Sequence, residues 1–302
     1  MLPETPEPPL VAIVGPTASG KTALAVELCR EIGGGVISAD SRQVYRGMDI
    51  GTAKPTASER GGIDHHLLDI RTPDCPYSLP EFLGDANAAI GAIRSDGMVP
   101  VVVGGTALYV HALLAGFAPG PADPDLRRAL ERDLKRTGLN ALNERLGALD
   151  SAAARAVDSR NPRRVLRALE RRILAGRGAV AKSWPQHPAI VLGLHDRPAR
   201  RTEKIARRTR MMLASGLTDE VRRLLAGYGQ STILQTTIGY SECVDYLLGR
   251  CDLTAAEQGI RTATNQYARR QMTYLRNKMR IQWLEPDRPQ FQQALTRIGR
   301  TG

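Results

Sequence analysis

Aromatic side chains are scarce: 3 Phe, 2 Trp and 8 Tyr make up 4% of the 302 residues. Residues 160–210 contain a single aromatic, Trp184, which argues against a base-stacking platform there. Cysteine is almost as rare. Cys29, Cys75, Cys243 and Cys251 are scattered and form no C-x-x-C pair, so neither a zinc site nor a disulfide framework is indicated, and free thiols in a reducing cytoplasm are expected. No apolar run reaches the length of a membrane span. Pro3, Pro6, Pro8 and Pro9 crowd the start with no basic segment before them, so no secretory signal is expected either. The expectation is a cytoplasmic protein with no membrane partner. Internal repeats and low-complexity tracts are absent as well.

Acidic residues are short in one region only. Residues 160–210 hold 15 of the 42 basic residues and 3 of the 31 acidic ones, a local balance of +12 against −1 for the rest of the chain. A cluster of that size suits a polyphosphate backbone, whose counterions it would release, and an RNA partner is expected. For any single arginine in it, a solvated helix face is the simpler reading.

The most informative segment lies near the start. Gly15-Pro-Thr-Ala-Ser-Gly-Lys-Thr22 fits the phosphate-loop pattern G-x-x-x-x-G-K-S/T, between an apolar run at 10–14 that reads as a buried strand and a helical pattern at 22–32. Gly15 and Gly20 let the backbone wrap a phosphate, peptide N–H groups at a helix N-terminus attract it, Lys21 adds charge, and the Thr22 hydroxyl is placed to ligate Mg²⁺. Such loops serve kinases, ATPases, GTPases and some transferases, so the loop alone does not name a substrate. A second strand, 35–39, delivers Asp40 to the sheet edge where ligands bind in open α/β folds. By residue type this carboxylate could hold Mg²⁺, act as a general base, or cap the next turn, with capping or metal binding the more natural roles. The third strand, 98–103, ends in Gly104-Gly-Thr106 and supplies no acid, which counts against a water-activating ATPase.

Breaks in pattern divide the chain into three segments. Residues 1–120 read as the first part of a P-loop core: strand, helix, strand, a loop-rich stretch, a helix over 79–96, a strand, and a helix from Ala107. The breaker-rich 119–124 leads into an all-helical block, 121–188, with helices at 126–137, 138–149, 151–157 and 162–175 and a turn-rich exit at 176–188. In 189–302 a strand at 189–194 rejoins the sheet, helices follow at 199–215, 218–226, 238–248 and 254–280, and a short strand begins at Trp283. The fold class is therefore α/β, a P-loop NTPase-like parallel sheet flanked by helices, with an all-helical insertion domain.

Several further segments fall in a recognisable order: ISADSRQVYRGMDIGTAKP (37–55), HHLLDI (65–70), VVVGGTALYV (101–110), RNPRRVLRALE (160–170), MLASGLTDEVRRLL (212–225), TIGYSE (237–242) and QYARRQMTYLR (266–276). With the phosphate loop, this ordered set resembles the tRNA dimethylallyltransferase (isopentenyltransferase) family over residues 11–285, in its bacterial form without a C-terminal zinc finger. The resemblance implies transfer of a dimethylallyl group from dimethylallyl diphosphate to N6 of the adenosine 3′ of the anticodon, with diphosphate leaving and Mg²⁺ required. The loop Gly15, Pro16, Thr17, Ala18, Ser19, Gly20, Lys21 and Thr22 would then cradle a diphosphate and not ATP.

It also implies roles residue by residue. Asp40 would be the base, Thr17 and Arg208 would complete the catalytic set, and Thr22 would ligate the metal. RNA contacts carry over to Asp40, Ser41, Arg42 and Gln43, to Thr106, to Arg163, Arg164, Val165, Leu166 and Arg167, and to Thr237, Ile238, Gly239, Tyr240 and Ser241. A channel with RNA entering one mouth and donor the other is implied, in a monomer that grips the anticodon stem-loop. His65 and His66, before an apolar pair, read as structural. Lys204 and Asn265 stand where relatives often carry Arg, and Tyr274 where Trp is common. The neighbouring alternatives are an adenylate isopentenyltransferase, which needs no basic helical insertion, and a P-loop nucleotide kinase or RNA-stimulated NTPase.

Overall fold

The computed structural model describes residues 9–116, 120, 122–176 and 184–299. The chain divides into two compact units, Met1–Gly116 with Pro185–Gly302, and Phe117–Trp184. In the larger unit β1 (Leu10–Val14) runs through the phosphate loop into α1 (Lys21–Ile32), and β2 (Gly34–Ser38) follows at once. A turn-rich stretch carries α2 (Ala57–Arg60) and β3 (His65–His66), then come α3 (Leu79–Ser95), β4 (Val99–Gly104) and α4 (Ala107–Leu114). The smaller unit holds α5 (Pro124–Leu149), α6 (Ser151–Ala156) and α7 (Pro162–Gly176). The larger unit resumes with β5 (Ala189–Gly193), α8 (Pro198–Ala214), α9 (Leu217–Tyr228), α10 (Thr232–Thr236), α11 (Tyr240–Leu247), α12 (Leu253–Lys278), β6 (Gln282–Trp283) and α13 (Gln290–Arg297).

Six strands form one sheet in the order β3-β2-β4-β1-β5-β6, and all of its pairs are parallel. The β1 strand, Leu-Val-Ala-Ile-Val, is buried at every position. Helices cover both faces of such a sheet, so its inner strands read as unbroken apolar runs without alternation. On one face Leu24, Leu28 and Ile32 of α1 pack with Val11, Ile13, Val101 and Val103 of the strands, and with Ala294 and Leu295 of α13. Cys29 lies in this core, where burial pushes its thiol up to about 12, and burial does the same for Cys243. Neither thiol is a nucleophile at neutral pH.

Four elements depart from the sequence expectation. The two-residue β3 pairs with β2 through Val36↔His65 and Ile37↔His66, so the strand expected to be third in the chain is the fourth. The helices α2, α10 and α13 have four, five and eight residues, too few for a periodic signal to stand out. In the smaller unit, by contrast, the two helices expected at 126–137 and 138–149 are both present within α5, separated by a kink at Gly138, whose φ of 80° breaks the helical path. Parts of the expected breaker stretch 119–124 and exit 176–188 lie outside the described residues.

The smaller unit has its own core of Leu130, Leu142, Leu146, Val165, Leu166 and Leu169. Beside it sits Glu170, 2% exposed, which accepts from Arg127 at 2.5 Å, Arg167 at 2.7 Å and the Asp123 backbone N–H at 3.2 Å. Among the described residues no helix is long and apolar enough to cross a membrane.

Candidate active site

The C-terminal ends of β1, β2 and β4 converge on one point. Gly104, closing β4, packs so tightly against β2 that a Cβ on it would lie 2.1 Å from the Ala39 carbonyl oxygen. With no side chain there, the Ala39 N–H bonds Val103 O at 2.7 Å and Thr106 N–H bonds Ala39 O at 3.2 Å. Asp40 is thereby set beside Thr106, whose hydroxyl accepts from the Ser41 N–H at 3.0 Å. The Oδ1 atom of Asp40 accepts from Arg42 N–H at 2.9 Å and Gln43 N–H at 3.4 Å. Its Oδ2 accepts nothing among the described residues. The carboxylate is thus fixed through one oxygen and free to take a proton through the other.

The phosphate loop faces it. Gly20 opens α1 with no capping side chain, and no acid lies in the first turn, whereas α3 carries a full Ser78–Glu81 capping box. The first amides of α1 are left for an external anion. Lys21 reaches back to Pro16 O at 2.7 Å, and burial pulls its ammonium down to about 8; Asp40 opposes this and Arg208 reinforces it. Ser19 Oγ is buried without a partner. Arg208 of α8 extends to Thr17 Oγ1 at 3.5 Å; burial lowers its pKa, and the Asp40 and Glu59 charges oppose that shift. A guanidinium stays cationic under these conditions.

Two cavities meet here. One of about 780 Å³ is lined by the loop residues Thr17–Thr22 together with Asp49, Ile50, Thr52–Thr56 and Glu59. The other, about 290 Å³, is lined by Ser41, Arg42, Gly51, Thr236–Gly239, Thr264 and Arg270. Thr17, Asp40, Thr52, Arg208, Met212 and Tyr267 belong to both. A phosphate-bearing ligand in the first cavity and a planar acceptor in the second would touch at Asp40. No cluster of three or more His, Cys, Asp or Glu among the described residues could hold a metal by itself. The donor set that is present, Thr22 and Asp40 on the phosphate-loop cavity, is all hard oxygen. That suits a Mg²⁺ completed by phosphate oxygens and water.

Other expected site residues are placed differently. Tyr240 is fully buried and Thr237 is 5% exposed, with the Thr237 hydroxyl bonded to Ile233 O at 2.6 Å. Ser241 Oγ bonds Thr237 O and Glu242. The Gln43 amide donates to Thr52 O and Ala53 O, and its oxygen accepts from Ser38. In the smaller unit, Val165 and Leu166, expected to contact RNA, turn their side chains into the helical core. Arg167, also expected to contact RNA, neutralises Glu170 and bonds Gly120 O at 2.6 Å. Exposed basic charge in that stretch falls to Arg163 and Arg164. His65 bonds Ile63 O within its turn.

Sequence reasoning missed Tyr267 and Gln271 of α12. Gln271, 5% exposed, accepts from the Thr17 N–H at 3.0 Å and donates to Gly105 O at 2.7 Å. Burial, with the Asp40 charge, pushes the Tyr267 hydroxyl up to about 12, with Thr106 and Gln271 opposing the shift. The available signal was a polar residue on the buried stripe Ala268, Met272 and Leu275. At the family's departures the chain has made local pairs: Lys204 with Asp196, Asn265 with Thr202, and Tyr274 with His111.

A family model described as IPP transferase matches residues 43–278, and one described as isopentenyl transferase matches residues 8–73. The chain is similar to the tRNA dimethylallyltransferase of Anaeromyxobacter dehalogenans, at 44% identity over 95% of this chain and 98% of that protein. Among solved structures it is similar to the tRNA isopentenylpyrophosphate transferase of Bacillus halodurans, with 40% identity, a TM-score of 0.72, and coverage of 97% of this chain and 95% of that one. The corresponding Staphylococcus epidermidis structure is 36% identical with a TM-score of 0.71, covering 97% of each chain. From its sheet edge to its matched length, the chain belongs to the tRNA dimethylallyltransferase family of enzymes.

Proposed function

We propose that this enzyme transfers the dimethylallyl group of dimethylallyl diphosphate to N6 of the adenosine 3′-adjacent to the anticodon in tRNA, releasing diphosphate. One observation carries the reading: a phosphate-loop cavity and a second cavity share Thr17, Asp40 and Arg208. An exocyclic adenine amine is a weak nucleophile, because its lone pair is delocalised into the ring. As N6 bonds the allylic carbon, the C–O bond to diphosphate breaks, and the amine proton passes to Asp40 Oδ2. Arg208, the α1 amides and Lys21 receive the charge that builds on the departing diphosphate. A Mg²⁺ held by Thr22 would neutralise part of that charge.

Incubation with labelled dimethylallyl diphosphate and tRNA, AMP or ATP tests the reading directly. Label is expected in tRNA, at the adenosine beside the anticodon. Label in free nucleotide would establish the adenylate-prenylating alternative, and phosphate release with no prenyl transfer the kinase-like one.

The lowered pKa of Lys21 makes a pH prediction. The free loop holds its ammonium only up to about pH 8, and a bound diphosphate restores the proton. Donor binding above pH 8 should therefore take up a proton, and affinity should fall about tenfold per pH unit from there. Calorimetry in buffers of differing ionisation enthalpy reads the uptake directly. Lys21→Ala should abolish it, and a pH-independent donor affinity from 7 to 10 would contradict the assignment.

The exposed arginines of α7 make a second. Log affinity for an anticodon stem-loop should fall linearly with log salt. Arg163→Ala with Arg164→Ala should weaken binding and flatten the slope by about one to two units. An unchanged slope would mean that these side chains only solvate a helix face.

A further inference from the structure

Three sequence segments with no role in the chemistry above meet at one buried carboxylate. They are 48–54, which follows the Asp40 turn, the start of α9, and the 237–240 loop that opens α11. Glu220 of α9 is 3% exposed. Its Oε2 accepts from the N–H groups of Asp49 at 3.1 Å and Ile50 at 2.8 Å. Its Oε1 accepts from Gly51 N–H at 3.2 Å and from the Tyr240 hydroxyl at 2.6 Å. No cation pairs with it among the described residues; three peptide dipoles and a phenol stabilise the charge. Burial and the Glu220 charge hold the Tyr240 phenol well above its ordinary range, so it remains a donor. Gly51 lies so close under the Tyr240 ring that a Cβ on it would sit 2.4 Å from the ring edge and 2.9 Å from Leu217.

The segments that Glu220 joins are walls of the site. Gly51 and Thr52 line the smaller cavity from one side, and Thr237, Ile238 and Gly239 line it from another. Asp49, Ile50 and Thr52 also face the phosphate-loop cavity. Thr52 and Ala53 are tied in turn to Gln43, three residues from Asp40. Glu220 itself lines neither cavity.

We infer that Glu220, acting through the 49–51 backbone and Tyr240, is a positioning residue that fixes the walls of the acceptor cavity against Asp40. The inference rests on the reading of that cavity as the adenine site. Donor affinity comes from the phosphate loop and tRNA affinity from phosphate contacts, so a loosened acceptor wall should reduce turnover and leave both largely intact. A displacement of about 1 Å at a reacting group costs on the order of 10²-fold in rate.

The test compares wild type, Glu220→Gln and Tyr240→Phe, each assayed well below its own melting temperature so that folded fractions are equal. Gln keeps the shape but turns an amide N–H₂ toward Gly51 N–H or the phenol. Phe keeps the ring over Gly51 and removes only the hydroxyl. For Glu220→Gln, kcat should fall about 10- to 100-fold. Donor KM and the Kd for the anticodon stem-loop should stay within about threefold. Tyr240→Phe should show the same split at about 3- to 10-fold in kcat, even if the Gln variant fails to fold. Wild-type kcat in Tyr240→Phe, or a parallel loss of donor binding in either variant, would overturn the inference. A wild-type enzyme that does not prenylate tRNA would instead overturn the reading of the site, so the two failures are distinguishable.

Discussion

Asp40→Ala should lower the rate of prenyl transfer by about three orders of magnitude while the protein still binds tRNA. General-base contributions fall at about 10²–10⁴-fold, and the predicted loss is the middle of that range. One carboxylate oxygen is fixed by the Arg42 and Gln43 amides and the other, at the joint of the two cavities, has no partner among the described residues. Asp40→Asn separates chemistry from architecture. It can still accept from both amides, so the turn survives, but it cannot take the amine proton. Single-turnover transfer, measured with stem-loop Kd in parallel, is the check. Asn should be nearly as slow as Ala, with Kd within about threefold of wild type. Near-normal turnover in Asn would remove Asp40 from proton transfer and leave it the turn-capping role that its residue type also allows. Loss of the carboxylate also withdraws the one nearby charge that raises the Lys21 pKa. The pH at which donor binding weakens should therefore shift below 8 in these variants.

Arg208→Ala should produce the second largest loss, about 10²–10³-fold in turnover, the range for removing one charge-stabilising donor. The half-buried guanidinium touches Thr17 of the phosphate loop, but forms no ion pair within the site among the described residues. On the proposed reading, its attraction would act on an anion that arrives with the substrate and gains charge as the allylic bond breaks. Arg208→Lys should recover only part of the loss, because a point charge cannot span two oxygens of a diphosphate as a planar fork does. Arg207 and Arg210, on the same helix, are exposed, and their alanine variants should stay within about threefold in kcat. If Arg207 or Arg210 mattered and Arg208 did not, the assignment along α8 would be off by one or two positions.

The legible parts of this fold are those with a strong local signature. The inner strands are short, largely apolar runs, the phosphate loop has its glycines and lysine at fixed spacing, and the helices of 12–26 residues carry an apolar stripe. A two-histidine strand and four- or five-residue helices have no period to read, and only tertiary pairing defines them. The site divides in the same way. Asp40 and the loop are local features at strand ends. Gln271 and Tyr267 depend on where one face of α12 docks, and Glu220 on which backbone amides fold over it. In α7 the arginine spacing did not reveal that Glu170 lies buried beside Arg167 and claims it. Runs of charge show that a helix is amphipathic, but which cation is free depends on a carboxylate three residues away and one helix across.

The bond from Thr17 N–H to Gln271 spans 254 residues, and the bond from Gln271 to Gly105 spans 166. On the ribosome, the glycine-rich loop and its strand emerge long before α12. For most of synthesis the loop has its motif but not its clamp, and one of its amides and the Gly105 carbonyl lack their native partner. Contacts this distant in sequence form late and slow the approach to the folded state. The nascent chain is therefore expected to acquire donor affinity in a single late step, when α12 clears the exit tunnel and docks, and not gradually as the sheet assembles.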